Sequence, residues 1–414
     1  MLHLCKLFMK RALFILVILT LVAEFFSCRK MLPQSPEPEN LLAEPLEGLT
    51  PEQLMLFSRG DANFGHAFSR EEGLGPIFVQ SSCQGCHAGD GKGNPINMLT
   101  RFGRYQNGAW DPIYAEGGPQ LQQHAIAGYA PETIPAGADH ANFLPANVTG
   151  LGFLEAVADS TLLGMTDSLD LDGDGISGRV NWVSPSPFFT PKPHHVSQNG
   201  KYIGRFRRKA DAVDLAQQVV KAFKEDIGIT SNYDMHDPLN YSMSSISGDN
   251  VADPEGGTAI VDPVVFYMRT LKNPPRRNAN ASEVTEGEAI FIQTGCANCH
   301  VPTINTGFSE IEALNNKMFH PYTDLLLHDM GAALDDGYSE GSAGTSEWRT
   351  PPLWGFGLQH ASQGGTIFLL HDGRANTVEQ AISYHGGEAT AARMAFQALS
   401  ESDKQKIISF LNSL

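Results

Sequence analysis

Residues 12–23 are almost entirely apolar and follow Lys6, Lys10 and Arg11. A run of that length behind a basic lead is the layout of a secretory signal and is short for a membrane span. Helical spacing appears further on. Val213, Leu215, Val219, Val220 and Phe223 predict an amphipathic helix over 212–223. Thr285-Glu286-Gly287-Glu288-Ala289-Ile290-Phe291 predicts an acidic-started helix. Val378, Ala381, Ile382 and His385 share one face of a short helix opened by Thr377 and Gln380 and ended by Gly386. Ile407, Phe410, Leu411 and Leu414 form the stripe of a last helix over 403–414, with Ser402 and Gln405 placed to cap it. Between about 94 and 190 Gly, Pro and Asn are scattered without a clear period, which predicts loops and short elements.

Punctuation divides the chain. Residues 28–48 are rich in Pro and Glu and read as a tether. Pro274-Pro275 and the polar stretch after them mark a boundary, giving one domain over 49–275 and another over 283–414. Residues 1–27 are the signal, and Ser27-Cys28 has a small residue directly before cysteine, as in a lipoprotein processing site. Cys28 is then the lipidated first residue, with soluble export after ordinary cleavage as the alternative. The expected location is the periplasmic side of a membrane. The formal charge of −17 makes nucleic acid an unsuitable partner and suits a basic redox protein, or simple solubility.

The chemistry lies in two matching runs, Cys83-Gln84-Gly85-Cys86-His87 and Cys296-Ala297-Asn298-Cys299-His300. In a Cys-x-x-Cys-His run the two sulfurs sit one turn apart and can form thioethers to one haem, while the histidine lies under the iron. A zinc site would set two Cys-x-x-Cys pairs close together, whereas these are far apart in the chain. A thioredoxin-like pair does not call for histidine after the second cysteine in both copies. Of the six cysteines, four lie in these runs, Cys28 is assigned above, and Cys5 lies in the signal, so none remains for a structural disulfide. The sequence therefore predicts two covalent c-type haems, with His87 and His300 as proximal ligands.

Asp170, Asp172 and Asp174 recur at positions one, three and five of a loop with glycine at six. With the carbonyl of Ile176 at position seven, this is the opening of a calcium loop, although Asn181 stands where a bidentate glutamate would close it. An Asp/Gly-rich turn is the plainer alternative.

Several segments together resemble the dihaem oxidoreductases grouped as thiol oxidoreductases or peroxidases, relatives of the bacterial dihaem cytochrome c peroxidases. They are Gly150-Leu151-Gly152-Phe153-Leu154-Glu155-Ala156, residues 171–179, residues 321–331, Glu347-Trp348-Arg349-Thr350-Pro351-Pro352-Leu353-Trp354-Gly355, and Leu370-His371-Asp372-Gly373-Arg374-Ala375. The resemblance implies a mainly α-helical protein of two cytochrome c-like domains, each with one covalently bound haem and the first with long loop insertions. It also places His385 where the peroxidases carry the distal methionine of the C-terminal haem, with Met330 and His328 as rivals. Histidine in place of methionine implies a lower reduction potential. In the first domain a loose alignment puts Gln217 at the acidic catalytic position, which removes the proton shuttle. Met98 and His124 are candidate distal ligands of the first haem. Arg374 is a candidate propionate partner, and Trp348 and Trp354 are either core aromatics or aids to electron transfer. The expected function is electron passage between two haems, either as an enzyme acting on a small substrate or as a carrier for a redox partner protein, with a role accessory to metal uptake as a weaker reading. The catalytic residues are not legible.

Overall fold

The computed structural model describes residues 42–243 and 251–414. The signal, Cys28 and most of the tether lie outside the described residues.

Two helix crossings organise what is described. The first involves α1 (Pro51–Gly65), α2 (Leu215–Ala222) and α3 (Thr258–Thr270). Thr50 and Gln53 satisfy each other's backbone N–H groups at the start of α1, where Pro51 takes the position that needs no donor. α1 crosses α3 at Gly60, where a Cβ would stand 2.1 Å from the Pro263 carbonyl oxygen. One turn on, Phe64 packs its ring 5.4 Å from Tyr267, and Phe57 approaches the same ring at 4.9 Å.

The second crossing uses α4 (Ser282–Gln293) and, after α5 (Val378–Ser383) and α6 (Thr390–Gln397), the closing helix α7 (Glu401–Ser413). Here Gly287 takes the place of Gly60, for a Cβ would lie 2.0 Å from the Lys406 carbonyl oxygen. Phe291, again four residues on, packs 5.2 Å from Phe410. Each fully buried ring or branched chain in such a crossing contributes about 1.5–3 kcal/mol.

The predicted helices are present with shifted ends. α2 is shorter than expected and runs into a π-helical turn at Phe223–Ile227. α7 is capped by Ser400, which accepts from Asp403 N at 3.2 Å, and not by Ser402. At α5 Thr377 accepts from Gln380 N as expected, but the Gln380 side chain accepts from Asn376 N.

The expectation of a mainly α-helical protein needs correction, because small antiparallel sheets fill the spaces between helices. β1 (Leu99–Gln106) lies between β2 (Ala109–Asp111) and β3 (Asp139–Phe143), with Leu99 opposite Phe143. β4 (Asn181–Val183), β5 (Ser197–Gln198) and β6 (Lys201–Gly204) pair in the order β4-β6-β5, and β7 (Leu327–Asp329) pairs with β8 (Glu347–Arg349). Most of these strands are too short to show more than one alternation of apolar and polar residues, which is why the pattern did not reveal them. The larger apolar core joins α1–α3 to Ile304, Phe319, Leu325, Leu326 and Trp354 from the later part of the chain. The smaller core surrounds Phe291, Tyr322 and Phe410. No helix among the described residues is long and apolar enough to cross a membrane.

Candidate functional site

The first run forms a single helical turn, Cys83–Cys86. Ser82 caps it by accepting from Gly85 N at 3.1 Å, and His87 N donates to Cys83 O at 3.0 Å. Cys86 is buried and Cys83 partly so, and burial followed by the charge of Asp226 pushes each up to about 12. That is the opposite of what a thioredoxin-like nucleophile requires. Burial also drives His87 down to about 4, against a smaller pull from the Gly91 and Ala146 backbone, so the ring is neutral. Its Nδ1 is buried without a hydrogen-bond partner among the described residues, and its ring centroid lies 6.1 Å from that of Phe64.

The second run is a 3₁₀ turn, Cys296–Asn298, opened by Gly295 in the left-handed region. His300 N donates to Cys296 O at 3.0 Å, and Phe291 lies 6.3 Å from the His300 ring. Here the histidine is anchored: Nδ1 meets the Tyr322 carbonyl at 2.9 Å. Burial pushes His300 down to about 4, and a positive charge on His385 would push it further the same way, so the two rings lie within electrostatic reach. His385, just beyond α5, is also held neutral by burial, and its Nδ1 meets the Ala381 carbonyl at 2.9 Å. A neutral ring that donates through Nδ1 keeps the Nε2 lone pair for a metal.

His328 is not available for that role. Its Nε2 lies 2.8 Å from Asp324 and its Nδ1 2.7 Å from Glu388, with Cys299 Sγ at 3.7 Å. Burial opposes its charge, yet these contacts raise it to about 12 and fix an imidazolium beside the second run. Met330, the other rival, keeps a place near His385, since its carbonyl accepts from Gly386 N at 3.1 Å.

Residues 141–414 match the family model described as "Di-haem oxidoreductase, putative peroxidase". The chain belongs to the di-haem oxidoreductase family. The match takes in the second run and His385 and begins beyond the first run. Two solved structures are also similar. One is titled "Kuenenia stuttgartiensis Hydrazine Synthase Pressurized with 20 bar Xenon", with 15% identity, a TM-score of 0.38 and coverage of 93% of this chain and 97% of that one. The other is titled "Crystal structure of a MauG-like protein associated with microbial copper homeostasis", with 15% identity, a TM-score of 0.31 and coverage of 64% and 87%. No curated protein matches the chain.

The residues present fit the haems of this family. Each run pairs two unbridged thiols with a neutral histidine; the anchored Nδ1 of His300 leaves Nε2 for iron, and His87 holds a buried ring nitrogen with no partner among the described residues.

The predicted calcium loop converges differently from expectation. Carboxylate oxygens of Asp167, Asp170 and Asp172 lie within 4.8 Å of one another, whereas Asp174 is turned to Ile176 N at 2.8 Å and Asn298 at 3.5 Å. The loop therefore lies beside the second run, although the chain order put it with the first. Asp167 was missed because it falls outside the one-three-five spacing.

Gln217 is buried in α2, and its amide oxygen accepts from Val213 N at 3.3 Å. The carboxylate whose charge acts on the first run comes instead from the π-helical turn. Asp226 lies within electrostatic reach of Cys83 and Cys86, bonds Gln120, and is pushed up to about 6 by burial. Glu225 pairs with Arg101 at 2.8 Å and Arg207 at 3.2 Å; burial resists its ionisation, but Arg207 and Arg101 hold it at about 2. A π turn in sequence looks like any helix end, so this pair carried no signal.

Of the other candidates, His124 is exposed with Nδ1 against the Val79 carbonyl at 3.0 Å, and Met98 is partly buried. Arg374 is committed to Asp372 at 2.6 Å and the Ala333 carbonyl at 2.8 Å. Trp354 and Trp348 are core aromatics whose indole N–H groups donate to Thr149 and Leu334 carbonyls. Trp348 is sandwiched between the His371 ring at 3.7 Å and the Lys209 ammonium at 3.6 Å. A cation on the ring face opposes loss of an electron from that indole.

Proposed function

We propose that the chain is a c-type dihaem oxidoreductase in which Cys83 and Cys86 bind one haem covalently over His87, and Cys296 and Cys299 bind the other over His300. His385 would be the second axial ligand of the C-terminal haem. The observation that carries this reading is the matched pair His300 and His385, each tied through Nδ1 to a carbonyl at 2.9 Å and each kept neutral by burial. When bound, haem supplies one-electron chemistry. Tyr322 and Ala381 orient the two rings, and the thiols, protonated until they react, serve attachment.

Among the described residues no second histidine acts on His87 as His385 acts on His300. Membership of a family described as putative peroxidases favours an enzyme, with a small substrate reaching the first iron, over a carrier with both irons closed. Protein made with a haem-maturation system should carry two haem masses after denaturation, and extraction of the colour into acidic organic solvent would overturn covalent attachment. Cyanide should bind one haem in the half-reduced protein. Failure to bind in every redox state would leave the carrier.

The reading extends to three further points. Export and lipidation at Cys28 rest on the sequence alone, and Cys28→Ser should release the protein from membranes. A basic redox protein is the partner that suits the formal charge of −17, and the rate of reduction by such a donor should fall with salt. Calcium, held chiefly by Asp167, Asp170 and Asp172, should show as heat on titration into chelator-treated protein and vanish in Asp170→Asn.

A further inference from the structure

Buried and half-buried arginines in this molecule generally face acids. Arg101 meets Glu340 and Glu225, Arg205 meets Asp159, Arg207 meets Asp211, and Arg269 meets Glu155. Lys92, Arg208 and Arg349 do not. None has an ion pair among the described residues, and their hydrogen bonds go to backbone carbonyls: Lys92 Nζ to Phe368 at 2.6 Å, Arg208 Nη2 to Leu144 at 2.7 Å, Arg349 Nε to Arg207 at 2.9 Å and Nη1 to Thr350 at 3.0 Å. The Nε of Arg208 is buried without a partner.

The three come from distant parts of the chain and meet in one region. Leu144 N donates to His371 O at 2.7 Å, Lys92 also reaches Leu370 O at 3.4 Å, and Arg349 N donates to Arg208 O at 3.1 Å. The acids nearest in charge effect have other partners, Asp372 with Arg374 and Asp324 with His328. Burial depresses the cations, Lys92 well below the ordinary lysine value and Arg208 and Arg349 to about 10, and the charge of Arg208 lowers Lys92 and Arg349 further. Cations without an anion are costly to hold in the interior, and the unpartnered Nε of Arg208 leaves the region able to take carboxylates supplied from outside the polypeptide. Its position says which: Lys92 lies five residues after His87, and the charge of Arg208 acts on the His87 ring.

We infer that Lys92 and Arg208, backed by Arg349, clamp the propionate carboxylates of the haem on His87. The inference rests on the dihaem reading above. The clamp holds the propionates ionised and ties the loop after the first run to the segments around Arg349 and His371. Arg374, the propionate partner suggested by sequence, has no share in it.

The test is a redox titration of the full dihaem protein, followed optically at each haem between pH 5 and 8. With the clamp intact, an electron from the mediator reaches the first iron without a proton, and the potential is independent of pH. In Arg208→Gln and in Lys92→Gln the propionate should take one solvent proton with each electron over part of this range, so the first potential should fall and become lower as pH rises. Arg208→Lys, which keeps the charge, should restore pH independence, whereas a purely structural arginine would not be rescued in this readout. Lys92→Gln lies on a different segment and gives the same reading should Arg208→Gln not accumulate. Both haems attached, with the first potential and its pH dependence unchanged in both glutamine variants, would overturn the clamp. A variant potential that follows phosphate concentration and not pH would overturn it in favour of a free anion. Failure of the dihaem reading itself is distinguished beforehand, because wild-type protein would then lack a haem mass on residues 83–87.

Discussion

The surroundings of the two runs are built on one frame and furnished differently. In each, a glycine lets two helices touch, and an aromatic four residues later packs on an aromatic of the crossing helix: Gly60 and Phe64 against Tyr267, Gly287 and Phe291 against Phe410. In each, that phenylalanine stands a little over 6 Å from the ring of the following histidine. Beyond this frame the likeness ends. His300 is anchored to Tyr322 and lies within electrostatic reach of His385, while His87 has an unpartnered Nδ1 and lies within electrostatic reach of an arginine. The frame is what a cysteine-histidine turn needs in order to be held at all, and the rest is free to differ with the task of each iron.

The sharpest way to break the comparison is to fill the crossings. Gly60→Val and Gly287→Val each drive a side chain into backbone, so each should cost about 3 kcal/mol or more in denaturant unfolding. Each should also depress haem attachment at its own run alone. Loss of both haems from either variant would mean that the two frames are not independent.

The next largest effect lies on the furnished side. Glu388→Gln removes one of the two acids on His328 and should cost about 2 kcal/mol. His328 is raised from its ordinary value to about 12, so its contribution is full below about pH 6.5 and fades as pH rises towards 12, while Glu388, held below its ordinary value, contributes above about pH 4.5. Because His328 stays protonated in the folded protein with or without Glu388, the penalty should be the same at pH 6 and pH 9 and should shrink as pH falls below about 4.5, where Glu388 itself takes up a proton. A penalty that fell between pH 6 and pH 9 would show that the contacts around His328 do not hold it charged.

His385→Met should raise the potential of the C-terminal haem by roughly 0.1–0.3 V, a part of the range over which axial ligands act, and leave the first haem unchanged. An unchanged spectrum in a folded variant would return His385 to the core. The smallest test compares the two turns. Ser82→Ala removes a cap and Gly295→Ala forces alanine to φ +80°, and each should cost about 1 kcal/mol in thermal unfolding.

Much of this was legible because it is local. The two runs, the helix before Cys296, the last helix and the histidine face of α5 depend on spacings of a few residues. The first frame was not, since Gly60 meets Pro263 and Tyr267 only after a long excursion of the chain. The sheets were too short to show their period. Gln217 was read as the site of a lost acid, but Glu225 and Asp226 sit in a turn whose departure from α geometry has no mark in sequence. Lys92, Arg208 and Arg349 could not be told from surface cations, because what sets them apart is the company each lacks.

Glu388 accepts from Ser177 through N and Oγ at 3.0 Å, from Asp329 N at 3.1 Å and from His328. Ser177 and Glu388 are 211 residues apart along the chain, yet one carboxylate pins the end of the aspartate loop, strand β7 and the segment just past His385. The separation between the loop and the candidate ligand is thus set by a few short links and not by the polypeptide that joins them. Glu388 acts as a surveyor's peg, a fixed point from which both positions are measured.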